Sequence, residues 1–264
     1  MFRGLAYGLA LAVWAGGAGG AGACTVAPAS VTAYPGSVTV DPDTRGAIAQ
    51  AWFDDPVTRY RHFVLGRNDE PETLWVDALG NQGLCGHALT LDDDHVFEDV
   101  APRLVDLDGD GTNEVIVARS HIRQGAQLAV YRWTGTELTL AATTPYIGRS
   151  NRWLAIIGAA DLDGDGSIEI AYIDRPHLAR TLRIWRFADG GLSQVSAATG
   201  LTNHRIGEGH ISSGIRDCDG GTEILTADST WTRLIATRLA DGVLTARDLG
   251  PWSPGALAAA LTCT

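Results

Sequence analysis

Two short stretches limit the architecture more than anything else in this chain. Asp106–Glu114 reads D-L-D-G-D-G-T-N-E, and Asp161–Glu169 reads D-L-D-G-D-G-S-I-E. Each places acids at positions 1, 3, 5 and 9 and glycines at 4 and 6. Three carboxylates spaced two residues apart on a tight bend converge, and close carboxylates repel unless a cation lies among them. An all-oxygen, acid-rich set suits a hard ion such as Ca²⁺, which takes six to eight oxygen ligands. The expected ligands are Asp106, Asp108, Asp110, the Thr112 carbonyl and Glu114 in one loop. Asp161, Asp163, Asp165, the Ser167 carbonyl and Glu169 are their counterparts in the other. Gly111 and Gly166 fall where the bend demands a positive φ, which glycine adopts without steric cost.

The segments around each loop decide what kind of loop it is. An EF-hand loop lies between helices and closes with a glutamate at position 12. Here position 12 is Val117 or Tyr172, and both flanks are β-rich apolar runs: Pro102–Val105 and Val115–Ala118, then Ile156–Ala160 and Ile170–Ile173. The loops therefore join strands. A solvated Asp-Gly turn accounts for one such copy, but not readily for two with the same acids in the same setting.

Related segments recur at intervals of about 55 residues. A shortened copy begins at Asp217, as D-C-D-G-G-T-E followed by Ile224–Ala227. A more eroded one is placed at Asp54–His62, with Phe63–Gly66 as its following strand. The Asp217 copy has lost two residues and its third loop aspartate, so no full shell is expected from Asp217, Asp219 and Glu223. At Asp54 only the first acid survives, and Arg59 is expected to put a guanidinium where the ion would be. Leu74–Val76, Leu128–Tyr131, Leu182–Trp185 and Leu234–Thr237 read as third strands. Leu89–Leu91 or Val96–Phe97, Leu138–Ala141, Leu192–Val195 and Leu244–Ala246 read as fourth strands. Alternation in these runs has period 2, and no helical period stands out beyond the N-terminal segment. Four strands per repeat, four times over, is the arithmetic of a β-propeller.

The strand–DxDxDGxxE–strand unit resembles the FG-GAP or VCBS-type repeat of integrin-α-like β-propellers, here of an exported bacterial type. That resemblance implies an all-β fold of four-stranded antiparallel blades, four of them or five, with Ca²⁺ held between the first two strands of a blade. The expected organisation is a signal peptide at 1–23, an N-terminal segment at 24–46 with short strands at Val31–Ala33 and Ser37–Val40, and the propeller at 47–264. The tail, Ala256–Cys263, is expected as a strand that pairs with N-terminal residues and closes the ring.

Arg3, the apolar Leu5–Ala15 and the Ala21-Gly22-Ala23 site make an export signal too short and glycine-broken for a membrane span. The expected location is periplasmic or secreted. Cleavage after Ala23 exposes Cys24, the position acylated in bacterial lipoproteins. Ala21 replaces the usual leucine, so a lipid anchor stays open. Four cysteines in an oxidising compartment allow three pairings. Cys218–Cys263 is preferred by proximity, leaving Cys24–Cys85.

The formal charge is −11, from 31 acids and 20 bases, which argues against nucleic-acid binding. The chain contains no lysine, which excludes a Walker A loop or a lysine Schiff base. No nucleophile elbow and no H-E-x-x-H motif occur. His121 and His177 fall in equivalent loops near Arg123 and Arg180. The connectors Arg149, Asn151, Arg152, Trp153 and Asn203, His204, Arg205 form a candidate ligand face; side-chain bonds that tie blades together would use the same residues. With no spare carboxylate pair in view, the sequence reads as a non-catalytic calcium-stabilised module for a protein or glycan partner. The alternative is a propeller hydrolase or lyase.

Overall fold

A computed structural model describes residues 29–41, 47–80, 83–218 and 220–264. The export signal and Cys24 lie outside the described residues. The first sheet contains β1 (Thr39–Val40), β2 (Ile48–Val57), β3 (Glu70–Gly80) and β4 (Gly83–Thr90), hydrogen-bonded in that order. In the second, β5 (His95–Phe97) and β6 (Arg103–Val105) share one edge of β7 (Glu114–His121), which pairs with β8 (Gly125–Trp133) and then β9 (Leu138–Thr143). The third runs β10 (Leu154–Ala160), β11 (Glu169–Asp174), β12 (Thr181–Ala188) and β13 (Gly191–Thr199). In the fourth, β14 (Leu201–Thr202) and β15 (Gly214–Cys218) share an edge of β16 (Gly221–Asp228), followed by β17 (Arg233–Ala240) and β18 (Val243–Pro251). The strand pairings are antiparallel. The fold is all-β, four antiparallel sheets in a propeller-like arrangement.

Alternation along the second strands explains how the sheets stack. In β7, Val115 and Val117 join the core shared with the first sheet, whereas Ile116 and Ala118 join the core shared with the third. In β11, Ile170 and Tyr172 face back towards the second sheet, and Ala171 and Ile173 face the fourth. Period 2 thus gives each middle sheet two apolar faces, and each face is buried against a neighbour. Phe53 stacks on Phe97 at 5.2 Å across the first of these interfaces. Burying a side chain of this size is worth about 1.5–3 kcal/mol.

The first-strand position is interrupted in the second and fourth sheets, and in the second a side chain takes over part of the ladder. Asp99 accepts the Ala118 amide at 2.8 Å and pairs with Arg103. In the fourth sheet the interruption spans 203–213, with Ser212 N donating to Asn203 O at 2.7 Å.

Several expectations need correction. Asp54 lies inside β2, with Phe53 opposite Leu74 and Asp54 opposite Thr73. Asp54–His62 is therefore not the first sheet's equivalent of the acidic loops, and Phe63–Gly66 forms a turn. By topology that role falls to the β1–β2 connection, of which 42–46 lie outside the described residues. Arg59 instead donates to Glu72 Oε2 at 2.6 Å and to the His95 carbonyl at 2.7 Å. Val96–Phe97 belongs to β5 and not to a fourth strand. Residues 29–31 and 35–37 are 3₁₀ turns, so the N-terminal strands shrink to β1. The tail is a helix, α1 (Pro254–Leu261), and not a strand, and among the described residues it makes no strand pairing to the N-terminal segment. Its P-G-A-L-A-A-A-L sequence has the alanine content that favours a helix, and Ser253 Oγ caps it by accepting the Ala256 amide at 3.0 Å. Leu257 and Ala260 pack on Leu225, Leu234 and Ala236, the face of the fourth sheet turned away from the third. A disulfide joins Cys218 to Cys263 and ties the helix end to β15. Cys85 is also disulfide-bonded.

Candidate metal centres and the connector cleft

Each acidic loop bridges two antiparallel strands, β6–β7 and β10–β11. Asp106 folds the first loop: its Oδ1 accepts Gly109 N at 2.8 Å and its Oδ2 accepts Gly111 N at 2.9 Å. Asp161 repeats both bonds with Gly164 and Gly166, at 2.8 and 2.9 Å. Gly111 and Gly166 have φ of 86° and 88°, as the tight bend requires. Carboxylate oxygens of Asp106, Asp108 and Glu114 lie within 4.8 Å of one another, and those of Asp161, Asp163 and Glu169 do the same. Asp110 and Asp165 stand outside these groups; each accepts a backbone amide, from Thr112 at 2.7 Å and Ser167 at 2.8 Å.

The closing glutamates are fully buried. Glu114 Oε2 accepts Leu107 N at 2.9 Å, and Glu169 Oε2 accepts Leu162 N at 3.0 Å. Burial nevertheless raises the pKa of both above the usual carboxylate range. Each faces an arginine from the third strand of its sheet. Arg132 Nε donates to Glu114 Oε1 at 3.0 Å and also reaches Asp108. Arg186 opposes Glu169 in register, bonds it at 2.6 Å, and reaches Asp163 and Asp165. These arginines are the parts that sequence reasoning missed. The available signal was an arginine flanked by aromatics in each third strand, Tyr131-Arg132-Trp133 and Trp185-Arg186-Phe187.

The donor set fits Ca²⁺. It is all oxygen, and each loop carries four carboxylates, of which one arginine meets two in the first loop and three in the second, leaving an excess of negative charge of the kind a divalent ion offsets. In the fourth sheet the hairpin closes directly, with Cys218 opposite Gly221. Glu223, in the position of Glu114 and Glu169, is held by Arg216 at 2.9 Å, Arg247 at 2.9 Å and Arg238 at 3.6 Å. Guanidinium groups supply the positive charge there.

The connector residues separate into two groups. Asn203 and His204 are fully buried. Asn203 Nδ2 donates to Ala155 O at 3.3 Å and to Ser213 Oγ at 3.2 Å, binding the third sheet to the fourth. Trp153 is buried and donates from Nε1 to Glu98 O at 2.6 Å. Arg205 lies over Trp231 and Trp252, 4.0 and 4.7 Å from their ring centroids. Arg149 is exposed, its carbonyl close against Gly125. Asn151, Arg152 and Trp153 do meet, in a cleft that also takes in His62 and His177. His121 and His177 enter different clusters. The first packs on His95 and Tyr146, the second on Trp153 and His204.

Residues 106–172 match the family model of FG-GAP-like repeats. Among curated proteins none matches this sequence. Solved structures similar to this chain include a protein from Lactobacillus plantarum, 14% identical, covering 81% of this chain and 54% of its own, with TM-score 0.44. A rhamnogalacturonan lyase from Bacillus licheniformis is 16% identical, covering 67% of this chain and 42% of its own, with TM-score 0.38. An exotype rhamnogalacturonan lyase is 15% identical, covering 80% of this chain and 50% of its own, with TM-score 0.38. The chain spans about half the length of these structures.

Proposed function

With an FG-GAP-like segment as its centre, we propose that this chain is an exported, calcium-stabilised binding module whose two acidic loops hold one structural Ca²⁺ each. The observation that carries the reading is the duplicated convergence of three carboxylates within 4.8 Å on strand-joining loops. Asp106, Asp108 and Glu114 would hold one ion, Asp161, Asp163 and Glu169 the other. Asp110, Asp165 and the carbonyls of Thr112 and Ser167 lie on the same loops to complete the shells. The ion supplies charge compensation and fixes the bend. The loop acids then serve as ligands and carry no proton at neutral pH. Export agrees with a disulfide-bonded chain in whose described residues no helix is long and apolar enough to cross a membrane. Metal analysis of the purified protein tests the reading. Two calcium ions per chain, removed by chelator and preferred over Mg²⁺, are expected; a chain without bound calcium refutes it.

A second reading is catalytic, and one pair of residues favours it. His62 Nδ1 is hydrogen-bonded to Glu98, and Glu98 is buried. A carboxylate that orients an imidazole is an arrangement used for general acid–base catalysis. Turnover of a glycan that survives chelation and is lost in His62→Asn would establish it.

A further inference from the structure

Connectors from different sheets enclose a cleft of about 180 Å³. The β2–β3 segment brings His62, the approach to β10 brings Asn151 and Arg152, and the turn after β11 brings His177 and Leu178. Ile206 comes from the connector between β14 and β15.

Hydrogen bonds fix which imidazole nitrogens carry protons. Glu98 accepts Ser120 Oγ at 2.6 Å on one oxygen and His62 Nδ1 on the other. A carboxylate at Nδ1 keeps the proton there and turns Nε2 into an acceptor. His62 Nε2 meets no protein partner among the described residues. His204 Nε2 donates to the Glu208 carbonyl at 2.7 Å, so His204 Nδ1 must accept. Its donor is His177 Nε2, at 3.1 Å, which leaves His177 Nδ1 as an acceptor without a protein partner among the described residues. Burial, with His204 and His62 nearby, pushes the His177 pKa down to about 4, so the ring is neutral at pH 7.

The cleft also carries a guanidinium that no carboxylate occupies. Arg152 donates from Nη1 to the Asn151 carbonyl at 2.9 Å and makes no ion pair among the described residues. Its neighbour Arg175 is committed to Asp174, at 2.7 and 2.9 Å. Leu178 and Ile206 stand exposed on the rim. Backbone strain gathers in the same segments. Ten non-glycine residues among those described have positive φ; Arg61 and Phe63 flank His62, Asn151 lies in the approach to β10, and Arg175 and Arg180 lie in the turn after β11. Such conformations persist where the surroundings over-determine them, and they concentrate at functional sites.

We propose that this cleft binds a small polyhydroxylated carboxylate of the hexuronic acid class, its carboxylate against Arg152 and its hydroxyls donating to His62 Nε2 and His177 Nδ1. Leu178 and Ile206 cover the C–H face of the ring. The proposal names the ligand of the binding module inferred above and rests on that reading. Acceptors on one side and a guanidinium on the other select a molecule that offers both hydroxyl donors and an anion. The cleft is small against drug-sized sites of roughly 300–1,000 Å³, so it suits one sugar unit.

The test uses the full chain, loaded with calcium and then freed of excess ion. D-Galacturonate is titrated by calorimetry or by NMR, with galactose and acetate as arms that lack the carboxylate and the hydroxyls. Saturable galacturonate binding, about tenfold or more tighter than either control, is expected. Arg152→Gln should weaken galacturonate about tenfold and leave the galactose response unchanged, and an unaltered melting temperature shows that this variant folds. No saturable galacturonate binding, equal binding of galactose, or equal binding by Arg152→Gln overturns the proposal. Calcium content is measured on the same samples. Loss of the cleft proposal with two ions present is thereby distinguished from failure of the calcium reading.

Discussion

Asp108→Ala is the substitution that isolates the role of the acidic loops. Asp108 belongs to one carboxylate group and has no part in the other. Its ion pair with Arg132 is about a third exposed on both sides, 30% and 35%, which limits that pair to under about 1 kcal/mol. Without calcium the variant should therefore melt within a few degrees of the parent. With calcium at a hundredfold excess over its Kd, each ion that binds only the folded chain contributes about 2.7 kcal/mol, so two contribute about 5 kcal/mol. At about 2–4 °C per kcal/mol for a chain of this size, the parent should gain roughly 10–20 °C on adding calcium. Asp108→Ala should gain half as much, and Asp108→Ala combined with Asp163→Ala almost nothing. Differential scanning calorimetry in chelator and in calcium, with metal content measured alongside, reads all three. A parent whose melting temperature ignores calcium, or an Asp108→Ala chain that keeps the full shift, refutes the reasoning.

Other perturbations probe the scaffold. Replacing Cys218 and Cys263 by Ala opens a loop closed across a separation of 45 residues, for which chain entropy predicts a loss of about 4 kcal/mol, read by urea denaturation against the parent. Glu223→Gln withdraws the buried charge that Arg216, Arg247 and Arg238 surround, and should cost about 3 kcal/mol without changing calcium stoichiometry. His177 gives a pH signature. Its folded pKa of about 4 lies below the ordinary 6.5, so the unfolded chain binds more protons between those values. This stability is present above pH 6.5 and is lost as the pH falls towards 4. In His177→Asn the fall of melting temperature between pH 6.5 and 4 should be shallower, and an unchanged slope would contradict the assignment.

Much of the second and third sheets was legible because local chemistry and tertiary packing agree there. Asp-Gly bends, β-branched flanks and period-2 alternation place β7, β8, β11 and β12, and Gly111 and Gly166 have the positive φ expected of them. The Asp54 region misled because Asp-Asp-Pro carries turn chemistry, whereas Phe53 is fixed in a strand by Leu74 and Phe97. The tail misled for the opposite reason: its apolar residues read as a strand, and only an open sheet face makes a capped alanine-rich helix the better cover. Arg132 and Arg186 went unnoticed because each lies 17 or 18 residues from the glutamate it meets, and pairing across the ladder erases that distance.

The sequence alone determined the duplicated acidic bends, the strands that flank them and the all-β class, because each depends on residues within reach of one another along the chain. Tertiary structure alone decided that Glu98 would back His62, that Arg152 would meet no acid among the described residues, and that a helix would cover the fourth sheet. Those outcomes depend on which sheets stack face to face, a property of the whole hydrophobic pattern that no single segment carries.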